Sequence, residues 1–364
     1  MTSAFEAPKQ TVLTAKHCVQ FFESDAQYGY KTMFAIGPDA FAPQRLLEVV
    51  AVQRAPGNTG GFVGFGRDVG VMHLLEKVTD LTPLKIGTLT DANIGKKYVD
   101  IGYGVRDNTW ASGTRRAGNV TLRALHGKVF EAIFGSFERF KTWYETGSPE
   151  TQALFQTGPV APAAFLPLAR SLFASGVGQD AGAAGAPDDD GHGSGGASEG
   201  GAGPVGGEGP AVGGEGGYDP DEYLRFIYDS TVLDDGYEAV VGGAAGDAQA
   251  CYGDSGSPIV KVSSAGVITA YGVVSGGMGS SSLVCDFGGV DAVFGPDVKT
   301  FLTAAAKWVD PCKGLSVEGV CSGTTVKRCT SPNEGPRRLV TFNCKSIGQT
   351  CAIQPDGTAG CSDP

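Results

Sequence analysis

Apolar and polar residues alternate through the first third of the chain. Leu46–Val52, Val69–Leu74, Tyr98–Gly102 and Val120–Leu125 each read as a strand, and the Gly, Asn and Asp residues between them read as turns. The period then changes. Phe130, Ile133, Phe134, Phe137 and Phe140 recur at helical spacing and predict one helix with a single apolar stripe. Ser148-Pro149-Glu150 sets an N-cap before a proline at the first helical position, which predicts a second short helix. Asp219-Pro220-Asp221-Glu222 opens a third, ahead of Tyr223, Leu224, Phe226 and Ile227. Residues 176–217 are rich in glycine and acidic side chains and contain no Lys or Arg. They carry too little apolar surface to offset their ordering entropy, so a disordered linker is expected there.

Chemistry enters at Cys251-Tyr252-Gly253-Asp254-Ser255-Gly256-Ser257-Pro258. Glycines on both sides of Ser255 permit a tight turn and leave the N–H groups of Gly253 and Ser255 uncovered. A serine hydroxyl is a poor nucleophile at neutral pH and needs a base and an oxyanion pocket. Upstream, Thr14-Ala15-Lys16-His17-Cys18 follows the apolar pair Val12-Leu13 and supplies one of only four histidines. Gly66-Arg67-Asp68-Val69-Gly70-Val71-Met72 supplies an aspartate leading into a strand.

The order His17, Asp68, Ser255, with the motifs around each, resembles the chymotrypsin/trypsin-like serine proteases. Other serine hydrolases arrange the same residue types in different chain orders. The resemblance covers roughly residues 11–127 and 236–305. It implies a pair of antiparallel β-barrels, with His17 as general base, Asp68 orienting it and Ser255 as nucleophile. It also implies an oxyanion hole from the N–H groups of Gly253 and Ser255. Tyr271-Gly272-Val273-Val274-Ser275-Gly276-Gly277 matches the family's substrate-lining strand, in which Ser275 would support the aspartate. Gln249, six positions before the serine, matches the base of the specificity pocket, and Gly276 and Gly277 its neck. Cys251 and Cys285 match a family disulfide, and Ile101-Gly102-Tyr103-Gly104 a glycine–aromatic–glycine segment. A neutral Gln249 predicts cleavage after uncharged residues, although Asp247 lies near enough to favour a basic side chain.

Two features depart from the family. The strands that normally precede the histidine motif have no counterpart before Thr11, and Cys18 thereby loses its usual partner. The freed N-terminal ammonium that normally pairs with the carboxylate matching Asp254 also has no evident source, and a buried unpaired carboxylate is costly. Met1-Thr2-Ser3-Ala4-Phe5-Glu6 lacks the basic start and apolar core of a secretion signal, so the signal is expected upstream of Met1. The alternative reading is a catalytically silent homologue that acts as a secreted binding or adhesion protein.

The expected fold class is mainly β: a double antiparallel β-barrel lacking its first strands, with a helical and Gly-rich insertion and a small disulfide-rich C-terminal module. The expected units are 1–127, 128–235, 236–308 and 309–364. Asp68 and Ser255 stand much further apart than the family needs, and the surplus falls in 128–235. Six of the nine cysteines, Cys312, Cys321, Cys329, Cys344, Cys351 and Cys361, lie in the last unit. They read as a three-disulfide scaffold of undetermined pairing, loosely resembling cysteine-rich tails of secreted myxobacterial proteins. No C-x-x-C pair or nearby histidine suggests zinc. Asp188-Asp189-Asp190-Gly191-His192 lacks the alternating ligands of a calcium loop and reads as a solvated charge run. No metal or cofactor is expected.

Cysteine usage favours an oxidising, extracellular compartment. The net charge of −11 argues against nucleic acid as a partner, and no apolar run is long enough to span a membrane. The expected partner is a protein or peptide substrate.

Overall fold

The computed structural model describes residues 10–19, 22, 30–57, 67–106, 111–146, 220–279, 285–330 and 337–363. Four strands open it: β1 (Thr11–Thr14), β2 (Met33–Ile36), β3 (Arg45–Arg54) and β4 (Gly70–Leu74). They form one antiparallel sheet in the order β1-β4-β3-β2. Both β1 and β4 are buried along their whole length, which explains runs such as Thr11-Val12-Leu13-Thr14 without strict alternation.

A short strand β5 (Lys85–Ile86) leads to β6 (Lys97–Gly102) and β7 (Arg116–Ala124). Among the described residues three helices follow, α1 (Val129–Phe134), α2 (Phe137–Thr146) and α3 (Pro220–Ser230). The chain then returns through β8 (Glu238–Val241), β9 (Pro258–Val262), β10 (Ile268–Met278) and β11 (Gly288–Val293). The pairings β6–β7, β7–β8, β8–β11, β11–β10, β10–β9 and β9–β6 close a six-stranded antiparallel barrel, with β5 added in parallel to β10. The protein is therefore mainly β, a closed barrel beside a four-stranded half-barrel sheet. Helix α4 (Pro296–Ala305) follows β11; its Val298, Leu302 and Ala305 pack with Leu13, Val71 and Val273 in a core shared by both sheets.

The predicted phenylalanine stripe is real but belongs to two helices. Gly135 adopts φ 78° and caps α1, and α2 restarts at Phe137. The bend turns Phe130, Phe134 and Phe140 onto one another and against Leu224, Ile227 and Tyr228 of α3. The third predicted helix is α3; the second, at Ser148, and the Gly-rich linker lie outside the described residues.

The tail folds around three disulfides, Cys312–Cys329, Cys321–Cys351 and Cys344–Cys361. Strands β12 (Val320–Ser322), β13 (Thr325–Cys329) and β14 (Leu339–Asn343) form one sheet, and β15 (Thr350–Ile353) and β16 (Ala359–Ser362) another. At its start, the Arg337 guanidinium grips the Asp310 carboxylate with two hydrogen bonds, Nε–Oδ1 2.7 Å and Nη2–Oδ2 3.2 Å. Lys31 of the half-barrel region is paired with Glu318 of the tail.

Several carboxylates are buried in or against the barrel. Asp100 and Asp291 each have a carboxyl oxygen with no hydrogen-bond partner. Burial, and for Asp100 the nearby Asp254 charge, raises its pKa to about 7. Burial and the Asp100 charge push Asp291 well above the usual carboxylate range. Glu238, at the start of β8, is raised to about 7, chiefly by burial.

His73 in β4 is fully buried. Its Nδ1 meets the Thr11 hydroxyl at 3.1 Å, and its ring stacks on Trp308 at 4.3 Å, tying β4 to the residues after α4. Burial lowers its pKa to about 4. The neutral ring thus contributes stability that is complete above about pH 6.5 and is lost as pH falls toward 4. At about 1.4 kcal/mol per pH unit, the loss reaches about 3 kcal/mol. Urea unfolding of wild type and His73→Phe at pH 7 and pH 4 should show the variant losing less stability over that interval, by that amount.

Candidate active site

Lys16–Val19 form a helical turn directly after β1, and His17 is its second residue. Asp68 lies two residues before β4, the strand paired with β1, so sheet register brings the two together. Gly70 keeps the approach close: a Cβ there would stand 3.1 Å from the Ala15 carbonyl and 3.2 Å from Lys16 Cα. Arg67, immediately before Asp68, adopts φ 58°, a left-handed conformation uncommon for a residue with a Cβ. It is held by stacking on Tyr237 at 3.9 Å and by an ion pair to Asp297 at 3.2 Å.

Asp68 is the centre of the arrangement. Its side chain is 2% exposed, and it accepts three hydrogen bonds. The His17 backbone N–H donates to Oδ1 at 2.8 Å, while His17 Nδ1 and Ser275 Oγ reach Oδ2 at 2.7 and 2.6 Å. Ser275 gets there through an irregularity in β10. The β10–β11 register shifts between Val274 and Gly276, so Ser275 is the extra residue of a bulge. Such a bulge re-aims a side chain without ending the strand.

The imidazole of His17 feels two opposed effects. Burial disfavours its charged form, whereas the Asp68 charge and hydrogen bond favour it, and the net pKa lies well above the ordinary 6.5. The bond from Nδ1 to Asp68 fixes the orientation of the ring.

The serine turn is built on a second buried carboxylate. Asp254 accepts the Gly104 N–H at 2.6 Å and the Cys251 N–H at 2.9 Å. Two backbone amides thus meet Asp254, donors that the sequence did not reveal. Gly102 and Gly104 must be glycines because a Cβ at either would fall 2.6 Å from the Asp254 carboxyl carbon. Gly253 at φ 90° and Gly256 at φ 76° turn the chain on both sides of Ser255. No backbone carbonyl among the described residues accepts the N–H of Gly253 or Ser255. Gly256 lies against the histidine segment, since a Cβ there would stand 2.3 Å from Thr14 Oγ1 and 2.8 Å from Ala15 N. The Val274 N–H bonds the Ser257 carbonyl at 2.8 Å, joining the turn to the strand that carries Ser275.

The remaining predicted residues line one neighbouring region. Gly276 and Gly277 pair with Val290 and Gly289, and a Cβ at Gly277 would stand 2.8 Å from the Ala250 carbonyl. The Cys251–Cys285 disulfide is present. Gln249 is half-buried, and its Oε1 has no hydrogen-bond partner. Asp247 is occupied elsewhere: it accepts the Thr121 N–H at 3.0 Å and the Thr121 hydroxyl at 2.9 Å, with Lys97 at 3.7 Å. Cys18 is a free thiol. Sequence reasoning missed Arg67, whose partners Tyr237 and Asp297 are distant in the chain; Arg67-Asp68 before a strand was visible, but not its strained backbone. Among the described residues no group of His, Cys, Asp and Glu could hold a metal ion.

Two measurements check this geometry. Asp68→Asn removes the charge that raises His17 but leaves its burial, so an NMR titration should move the ring pKa from above 6.5 to below it. Ser275→Ala deletes one bond to a buried carboxylate and should cost about 2 kcal/mol in urea unfolding at pH 7.

No protein-family model matches this chain, and no curated protein matches it in sequence. The geometry of Asp68 and the serine turn is what bears on its chemistry.

Proposed function

We propose that this chain is a secreted serine endopeptidase of the trypsin-like type, with Ser255 as nucleophile, His17 as general base and Asp68 as the group that orients it. The observation that carries the reading is the Asp68 carboxylate, which binds His17 Nδ1 and Ser275 Oγ at 2.7 and 2.6 Å beside a glycine-flanked serine turn. In this reading Ser255 Oγ attacks a scissile carbonyl and passes its proton to His17 Nε2. Asp68 stabilises the imidazolium. The N–H groups of Gly253 and Ser255 receive the oxyanion, each worth about 3 kcal/mol in comparable sites. His17 then returns the proton to the leaving amine, and water hydrolyses the acyl-enzyme. Four disulfides fit an extracellular protein.

Substrate preference follows from which groups are available around Gln249. Asp247 is engaged by Thr121 and Lys97, leaving the neutral Gln249 amide to meet the substrate side chain. Profiling with a peptide library should give cleavage after uncharged residues; dominant cleavage after Arg or Lys would remove this assignment.

Fluorophosphonate labelling tests the reaction itself. Wild type should label and Ser255→Ala should not. Gly104→Ala, whose Cβ would displace Asp254, should label at least ~10-fold more slowly because the oxyanion donors move with the turn. The base must be unprotonated, so the labelling rate should rise with pH through the His17 pKa, in a range above that of an ordinary histidine. A folded wild-type protein that does not label would instead support the silent, binding homologue.

A further inference from the structure

We propose that Trp143, in the helical insertion, is a positioning residue that fixes the end of β10 where it borders the substrate pocket. Its indole Nε1–H donates to the Gly279 carbonyl at 2.9 Å, across a large sequence separation. This is a side-chain hydrogen bond from the insertion to the residue just past β10.

The surrounding contacts show why one bond could control that edge. Gly276, Gly277 and Met278 pair only with β11 over the last part of β10, because β9 pairing stops at Val273. Beyond them the chain must turn back, and the Phe287 N–H bonds the Met278 carbonyl at 3.2 Å to close that return. Phe287 is itself held by the insertion, with its ring 5.1 Å from Phe134 and 6.5 Å from Trp143. Met278 is buried in the same cluster as Phe130, Phe134 and Phe140. On its other side, Gly277 sits so close to the Ala250 carbonyl that a Cβ would intrude to 2.8 Å. The edge is therefore clamped between the Gln249–Cys251 segment and the helices, and Trp143 supplies the directional, polar part of the clamp. Pairing with β11 sets the register up to Met278, and the Trp143 hydrogen bond holds the one carbonyl just beyond it.

The consequence for substrate rests on the peptidase reading; the consequence for the strand does not. Trp143→Phe keeps an aromatic ring in the cluster and removes only the donor. Phe137→Leu alters a ring of the same helix that meets Tyr228 and Arg225 and leaves the Trp143 donor in place. Amide hydrogen exchange at pH 7 should be about tenfold faster at Met278, Gly279 and Phe287 in Trp143→Phe, with β3 and β4 unchanged. Phe137→Leu should leave those three amides as in wild type. In peptide hydrolysis, Trp143→Phe should raise KM about fivefold and leave kcat within about twofold, because binding rather than the reacting groups is affected. Unchanged exchange at those amides, or equal acceleration by Phe137→Leu, would overturn the inference. A wild-type protein that neither labels nor hydrolyses peptide would overturn the peptidase reading, and the exchange result would still decide the role of Trp143.

Discussion

A carboxylate removed from water must be met by donors, and Asp68 imposes that demand on everything around it. It recruits a backbone amide and a ring nitrogen from the turn after β1, and a hydroxyl from a bulge in β10. Those donors come from the half-barrel sheet and from the closed barrel. One buried charge thus links the two β units beside the apolar core they share, and the histidine takes its orientation from the same contact. The strained backbone at Arg67 is tolerated because a stacked tyrosine and an aspartate hold its side chain in place.

Asp254 repeats the device beside the serine. There the donors are two main-chain N–H groups, and the two glycines of Gly102-Tyr103-Gly104 are what lets the backbone approach. The two amides, with the Arg116 charge acting alongside them, favour the charged form of a carboxylate that burial disfavours. The free amides at Gly253 and Ser255 follow from the same turn geometry.

Much of this was legible in the chain. The candidate residues sit in short motifs whose glycines and neighbours are local, so His17, Asp68, Ser255 and Ser275 could be put forward from spacing and resemblance. Strand positions were legible too: β3, β6 and β7 are only partly buried, and the fully buried β4 shows as a short apolar run. The break between α1 and α2 was missed because a phenylalanine stripe at helical spacing masks one left-handed glycine. The partners of Asp254 and Asp247 were missed because they are main-chain or remote groups, which carry no sequence signal. Disulfide pairing in the tail was open for the same reason: spacing alone does not order six cysteines, whereas the two small sheets do.

The buried acids of the barrel, Asp100 and Asp291, together with Glu238, make the stability of the fold depend on pH. Each holds its proton more tightly when folded than an exposed acid would. Folding therefore takes up protons at these positions. Their contribution is greatest below the ordinary carboxylate range and fades as pH rises through about 7 for Asp100 and Glu238. His73 has the opposite dependence, losing its contribution as pH falls toward 4. Between them lies a window of mild acidity in which the barrel keeps its protons and the half-barrel sheet keeps its neutral imidazole. Over roughly pH 4 to 7 the two dependences pull against each other, so the barrel and the half-barrel sheet answer the same change in acidity in opposite directions.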